Sequence, residues 1–369
     1  MKILIHRLGP GLGDIVRCLP ALDAARRRWP TADITCMAPP EYVPLFDGNP
    51  HIDRAIAPLG RFGRRARHAA CLAESLSLSG RGQGEGATLS APHGRAPQPH
   101  PSPVGLPGEE RGPRQYDLMI DLLGPAAELE RRDPSLSRQE IFCRLVGAEP
   151  AKWIGWYRVT DAERAWAAGF LRIISPSPLR GAPQGTGGAE GRGHHPHPTL
   201  SLEGRGMVVA LQRHAAQPLR DWPWVDELAG RLRNAGSRVL LLERRMDTTV
   251  RQLAALIAAC DLLIAPDSGP LHVAALVGTP CLGLFGPTDA RVIAQHYPRH
   301  TCLTGCGRGD ACVRPCRERS RAACRRAPGA RCLAVISAEE AADAALECCH
   351  GRKPVVRRPA KMPEPQRGD

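Results

Sequence analysis

The chain has 369 residues, 43% of them hydrophobic, enough to fill the cores of two ordinary domains with a remainder left over. Aromatics make up only 4% while Gly (38) and Pro (36) are abundant, so part of the chain is expected to lie outside any packed core. The net charge of +13 suits an anionic partner (nucleic acid, a nucleotide diphosphate or an acidic membrane face), and an Arg-rich codon usage would give the same balance. No window of 18 apolar residues occurs, which excludes a transmembrane helix. Residues 1–5 lack the apolar core and cleavage site of a secretory signal, so the expected location is cytoplasmic. There the 14 Cys are expected as thiols or metal ligands rather than disulfides.

Lys2–His6 reads as an opening strand, followed by Arg7-Leu8-Gly9-Pro10-Gly11-Leu12-Gly13-Asp14 and a helix through Leu19, Leu22, Ala25 and Arg26. The glycines match G-x-G-x-x-G poorly. Asp14 just after Gly13 reads in two ways: a first-turn acid favoured by the helix dipole, or a general base at the edge of a cleft. Residues 32–37 and 52–57 read as further strands around a helix-and-turn passage, a βαβαβ alternation. From about residue 61 the composition changes, and 76–112 is mainly Gly, Pro, Ser and Arg, too poor in large apolar groups to offset chain entropy. A strand at 116–122 and a helix at 138–146 resume the folded pattern.

A second low-complexity stretch covers 175–206. The two stretches share LSLSGRG (76–82) and LSLEGRG (200–206), and both contain Pro-His-Pro. They look like translated palindromic repeats inserted into the reading frame and tolerated in surface loops. A second domain opens with a strand at 207–211 and a helix after Pro218, where Arg220 precedes Trp222-Pro223. Arg220 is either an exposed helix-start residue or a phosphate ligand. A strand at 238–242 then runs through Glu243 and Asp247 into a helix near Thr249.

Residues 258–287 carry the densest signal. Leu262 to Ala265 is an apolar run of the kind a two-sided parallel sheet buries, and Asp267-Ser268-Gly269-Pro270 follows it directly. Ser268 is suited to cap, Gly269 to let a ligand approach the backbone, and Pro270 to open the helix. The helix, 271–277, points its dipole end at the turn and is expected to bind an anion there. His272 lies in its first turn, as a packed helix histidine or a site residue. Residues 281–285 form the next strand. Cys312, Cys316, Cys324 and Cys332, spaced C-x3-C-x7-C-x7-C within a Cys- and Arg-rich loop at 302–332, are candidate zinc ligands, although the familiar C-x2-C pairs are absent. A basic loop without metal is the alternative. A final helix over 337–346, capped by Ser337, precedes a basic tail at 350–369.

Two strings carry a resemblance. D-S-G-P-x-H-x-A-A-x-x-G-T-P-x-x-x-L-F-G-P-T at 267–288, together with a strand, a Gly loop and G-D-I-V-x-x-x-P-A-L at 13–22, resembles glycosyltransferase family 9, the ADP-heptose:lipopolysaccharide heptosyltransferases. The resemblance implies an α/β fold of GT-B type, two Rossmann-like doubly wound domains facing a cleft, with two low-complexity insertions. The acceptor domain would be 1–174, with 61–114 an insertion. Residues 175–206 would be a linker, and 207–349 the nucleotide-sugar domain. Asp14 would be the base, with Gly13 beside it. Arg220 would stand where the family's K-x-W-P string has Lys. Ser268, Gly269 and Pro270 would hold the diphosphate, with Asp267 facing the sugar and His272 close by.

The implied reaction is inverting transfer of heptose from ADP-heptose to the inner core of lipopolysaccharide. The acceptor would be a lipid-linked saccharide met by peripheral contact with the anionic inner membrane. No cofactor is expected, no Asp-x-Asp metal pair is visible, and nucleic acid is disfavoured because aromatics are not interleaved with the basic residues. The family's Gly-Gly-Pro-like turn and ribose-holding acid are missing after residue 242, and roughly one βα unit with them. Glu243 or Asp247 would have to replace that acid. Two alternatives follow: transfer of another nucleotide sugar to a cell-surface glycan, or a degenerate, non-catalytic homologue acting as a binding module. Transferases of this type often return the last helix to the first domain, and the same is expected here.

Overall fold

Short runs of Ile, Val, Leu and Cys, each closed by a polar or glycine turn, become strands covered on both sides, as parallel sheets require. The computed structural model describes residues 1–9, 11–58, 116–149, 155–174, 206–243, 246–305 and 332–349. The two low-complexity stretches, the tail and Cys312, Cys316 and Cys324 lie outside the described residues.

The first half is a sheet of β1 (Lys2–His6), β2 (Asp33–Met37), β3 (Arg54–Ile56) and β4 (Leu118–Asp121), in the order β3-β2-β1-β4 and parallel throughout. Helix α1 (Leu12–Arg28) joins β1 to β2, and a 3-10 segment, Pro40–Phe46, leads toward β3. After β4 come α2 (Gly124–Arg132), α3 (Arg138–Leu145) and α4 (Asp161–Ile174). Ser137 and Glu140 close a reciprocal capping box at the start of α3, which fixes where that helix begins.

The second half is a five-stranded parallel sheet of β5 (Val208–Gln212), β6 (Arg238–Leu242), β7 (Leu262–Pro266), β8 (Cys281–Phe285) and β9 (His300–Thr304), ordered β6-β5-β7-β8-β9. Its helices are α5 (Val225–Asn234), α6 (Val250–Ala258), α7 (Gly269–Val277), the short α8 (Ala290–Ile293) and α9 (Ala338–Cys349). Thr249 and Gln252 form the capping box of α6, and Gly278, at φ 79°, closes α7 in the left-handed conformation. A single helix, α6, joins β6 to β7.

Alternation along β5 divides the core of this half in two. Val208 and Ala210 pack with Leu240, Leu263, α6 and α7 in a cluster that continues into the first half through α1. Val209 and Leu211 face the other way, onto Leu228 and Leu232 of α5 and Ala341 and Ala345 of α9. Each fully buried Leu or Val of these layers contributes about 1.5–3 kcal/mol.

The halves are also joined at α6. Arg251 pairs with Glu163 of α4 (Nη2–Oε2 3.1 Å), donates to the Pro44 carbonyl (2.9 Å) and to the Arg158 carbonyl (3.2 Å), and lies 5.2 Å from the Tyr157 ring centre.

Three expectations change. The last helix does not return to the first domain: α9 packs on α5, β7, β8 and β9, because its alanine stripe matches the flat face left by Leu228 and Leu232. The Cys-rich loop does not begin at 302, since Cys302 is a buried residue of β9, where β-branched Thr301 and Thr304 flank an apolar pair and extend the sheet beyond β8. Ser268 does not cap α7; its hydroxyl turns inward. Helices α2 and α4 go beyond the sequence reading. Among the described residues no helix is long and apolar enough to cross a membrane.

Candidate active site

In both sheets the strand order reverses at the first strand, between β1 and β4 and between β5 and β7. Open α/β sheets hold ligands in the crevice outside such reversals. The loop after β1 delivers Leu12, Gly13 and Asp14, and the loop after β7 delivers Asp267, Ser268 and Gly269. The two loops meet. A Cβ placed on Gly13 would lie 2.2 Å from His272 Cδ2, and one on Gly269 would lie 3.0 Å from the Leu12 side chain. Both positions are glycine because the other half's side chains occupy the space a methyl group would need.

On the α1 side, Asp14 is gripped by three guanidinium groups. Arg7 Nη2 donates to Oδ2 at 2.6 Å, Arg138 Nη1 to the same oxygen at 2.5 Å, and Arg17 Nη2 to Oδ1 at 2.8 Å. Arg138 also pairs with Glu130 (2.7 Å), and Arg7 lies 5.9 Å from the ring centre of Phe142. Burial pushes the Asp14 carboxyl up, but Arg17, Arg138 and Arg7 together outweigh it and hold the group well below the usual carboxylate range. Arg7 and Arg17 are themselves buried, and Arg7 Nε, Arg7 Nη1 and Arg17 Nη1 have no hydrogen-bond partner among the described residues. Donors without partners in a buried place are costly unless a ligand takes them.

On the α7 side, Asp267 is buried between Arg220 and His272. Arg220 comes from the 3-10 turn Pro218–Arg220 after β5; its Nη1 lies 2.8 Å from the Asp267 carbonyl and 3.1 Å from Oδ2. His272 Nε2 lies 3.5 Å from Oδ1. Burial pushes the Asp267 carboxyl up, and Arg220 and then His272 overcome it, so this group too stays well below the ordinary range. His272 is lowered from its usual value, first by burial and then by Arg17. The Ser268 hydroxyl is held by Gln212 Oε1 and the Pro266 carbonyl (3.0 Å), which leaves the first amides of α7 without a side-chain cap. Such amides suit an anion.

The structure therefore brings together Gly13, Asp14, Arg220, Asp267, Ser268, Gly269, Pro270 and His272, all at one seam. Glu243 pairs with Arg213 (2.7 Å). Cys332, the one zinc candidate within the described residues, lies against Gly286, and no cluster of three metal-ligating side chains occurs among the described residues. Sequence reasoning passed over Arg7, Arg17, Arg138 and Tyr297. Arg17 was within reach as an i,i+3 partner of Asp14 on one helix. Arg138 and Tyr297 come from 124 residues after Asp14 and 25 residues after His272, and no local pattern points to them.

A family profile described as Glycosyltransferase family 9 (heptosyltransferase) matches residues 201–321. The lipopolysaccharide heptosyltransferase 2 of Escherichia coli (strain K12) is 27% identical over 303 residues, covering 78% of this chain and 84% of that protein. The lipopolysaccharide core heptosyltransferase OpsX of Haemophilus influenzae (strain ATCC 51907 / DSM 11121 / KW20 / Rd) is 53% identical over a 54-residue segment, 15% of this chain and 13% of that one. In fold, the chain matches the structure of the E. coli ADP-heptose lps heptosyltransferase II with a TM-score of 0.55 at 16% identity, over 95% of this chain and 99% of that one. That likeness identifies the two sheets as the halves of a GT-B fold. With the D-S-G-P-x-H string and the G-D string at one seam, the chain is similar in sequence and in fold to the heptosyltransferases of glycosyltransferase family 9.

Proposed function

We propose that the enzyme transfers heptose from ADP-heptose to an inner-core sugar of lipopolysaccharide, with inversion at the anomeric carbon. The observation that carries this reading is the meeting of the Asp14 loop and the α7 tip at facing strand-order reversals. The relatives' heptosyltransferase activity supplies the sugar. In this scheme the acceptor hydroxyl gives its proton to Asp14, and its oxygen bonds to the anomeric carbon. The bond from that carbon to the diphosphate oxygen breaks on the opposite face, and ADP departs with the electron pair. Arg220 and the uncapped α7 amides take up the developing negative charge. Arg in place of Lys keeps the charge and adds a two-pronged grip.

Asp14 in its arginine grip is a weak base. An acidic saccharide acceptor resolves this, because its anionic groups compete for Arg7, Arg17 and Arg138. Each guanidinium drawn off returns basicity to the carboxylate. The partnerless donors on Arg7 and Arg17 favour such an acceptor. Docking of a basic protein at an anionic inner-membrane face, where a lipid-linked acceptor resides, fits the same charge balance.

The assay is heptosyl transfer from ADP-heptose by the wild type and by Asp14→Ala; equal rates remove Asp14 from the mechanism. A second reading, a non-catalytic binding module, draws on the β6–α6 connection, where Glu243 is engaged by Arg213 and no glycine turn is present. Stoichiometric zinc with no thermal stabilisation by ADP would select it.

A further inference from the structure

The buried chain Asp267–His272–Tyr297 continues beyond the residues that meet substrate in the proposed reaction. Tyr297 follows α8 and is buried. Its amide donates to the Ala294 carbonyl (3.0 Å), and its own carbonyl accepts from His300 Nδ1 (2.6 Å), so the backbone on which the ring sits is pinned from both sides. The Tyr297 hydroxyl contacts His272 Nδ1, and the two rings meet edge to face with centres 5.8 Å apart.

The direction of each proton in this chain follows from the chemistry of the groups. Asp267 is ionised and can only accept. Its Oδ1 is buried and makes no hydrogen bond among the described residues, and His272 Nε2 stands 3.5 Å from it. A nitrogen lone pair facing that carboxylate would be repelled, so Nε2 carries the hydrogen. Burial and Arg17 keep the imidazole neutral, so it has one donor nitrogen and one acceptor nitrogen, and Nδ1 is the acceptor. Burial keeps the Tyr297 phenol protonated, so its O–H is the donor to Nδ1. The charged and titratable groups around the pair are Arg17 and Asp14 from α1, Asp267 after β7, Cys281 of β8, and His300 and Cys302 of β9. Among these, only Asp267 takes the Nε2 hydrogen.

We propose that Tyr297 is a positioning residue: its hydroxyl donates to His272 Nδ1, fixes the Nε2–H tautomer, and through that hydrogen holds the Asp267 carboxylate at the sugar-facing edge of the cleft. The proposal rests on the transferase reading for its consequence in catalysis, and on the buried chain alone for the tautomer. Arg220 holds one carboxylate oxygen and the imidazole the other. Without the tyrosine hydroxyl the ring is free to exchange tautomers, and Asp267 loses one of its two side-chain anchors. A partner one step removed from substrate orients the group that touches it.

The experiment uses the full chain labelled with 15N-histidine, with the His272 signals assigned by comparison with His272→Gln. In the wild type we expect a neutral His272 in the Nε2–H form. In Tyr297→Phe, which keeps the ring and removes only the hydroxyl, we expect a mixture of tautomers. Transfer kinetics should show kcat lower by about 10-fold and donor KM within about twofold of wild type. A wild-type His272 that is an imidazolium or carries its hydrogen on Nδ1 overturns the proposal without any variant. So does a Tyr297→Phe protein, folded by its melting temperature, in which the tautomer or kcat is unchanged. If the wild type transfers no sugar, the transferase reading fails while the tautomer still decides this one.

Discussion

Two carboxylates, Asp14 half-buried and Asp267 buried, approach the seam from opposite halves, and their surroundings differ in kind. Asp14 is surrounded by three guanidiniums drawn from β1's end, α1 and α3, two of which keep donors to spare. Asp267 is held by one guanidinium and one neutral imidazole, and the imidazole is itself held by Tyr297. The first arrangement is over-supplied with positive charge and is completed by an incoming anion. The second is balanced, one guanidinium to one carboxylate, and its unmet atoms are one acceptor and one donor, Asp267 Oδ1 and Arg220 Nε, rather than donors alone. A carboxylate whose partners can be exchanged is suited to changing its protonation state during a reaction. One whose partners are fixed is suited to keeping its charge and place while substrate comes and goes.

That contrast can be broken in stages. Asp14→Asn should lower kcat by about 1,000-fold with donor KM little changed, whereas Asp267→Asn should act mainly on donor KM. If both variants fail in the same way in steady-state kinetics, the distinction is lost.

Stability gives the next test. Asp14 is held below its unfolded-state value, so the unfolded chain takes up the proton first as pH falls. The stability it lends is whole above the ordinary Asp range, about pH 4, and drains as pH drops below it. Removing the charge at pH 7 should cost about 3 kcal/mol. The gap in melting temperature between wild type and Asp14→Asn should narrow between pH 7 and pH 3, and a constant gap would show that the charge is not what stabilises the site.

Gly13→Ala drives a methyl group into His272, whose ring is fixed at both nitrogens, and should cost about 2 kcal/mol by denaturant titration. Arg220→Lys keeps the charge and loses the fork, and should raise donor KM about fivefold, the worth of one hydrogen bond of about 1 kcal/mol. The smallest effect is expected from excising residues 76–112. Strands β3 and β4, which flank the stretch, are each paired within the first sheet, so the melting temperature should stay at the wild-type value.

Much of the fold is legible in local sequence. Lys2–His6 and Cys281–Phe285 are strands at the bounds their apolar runs announce, and Ser337 caps α9 through the Glu340 amide as its position suggests. The half of the site written in contiguous strings, Gly13-Asp14 and Asp267 to His272, is legible for the same reason. What the chain does not announce is assembled by topology. Arg138 reaches Asp14 because α3 packs on α1, and Tyr297 reaches His272 because the loop before β9 passes behind α7. Cys302 escaped notice as a strand residue because the cysteines around it drew attention to metal spacing rather than to the alternation of HTCLT. Ser268 follows the capping rule in sequence and breaks it in space, because Gln212 on the neighbouring strand offers its hydroxyl a buried acceptor.

The Arg251 junction has a mechanical consequence. One side chain grips α4 through Glu163 and two backbone carbonyls, those of Pro44 and Arg158. Leu12 lies against the amide end of α7, so the halves touch at two separate places, the loop tips and this junction. Cutting the second with Arg251→Ala should lower the melting temperature while leaving the residues of the first in place.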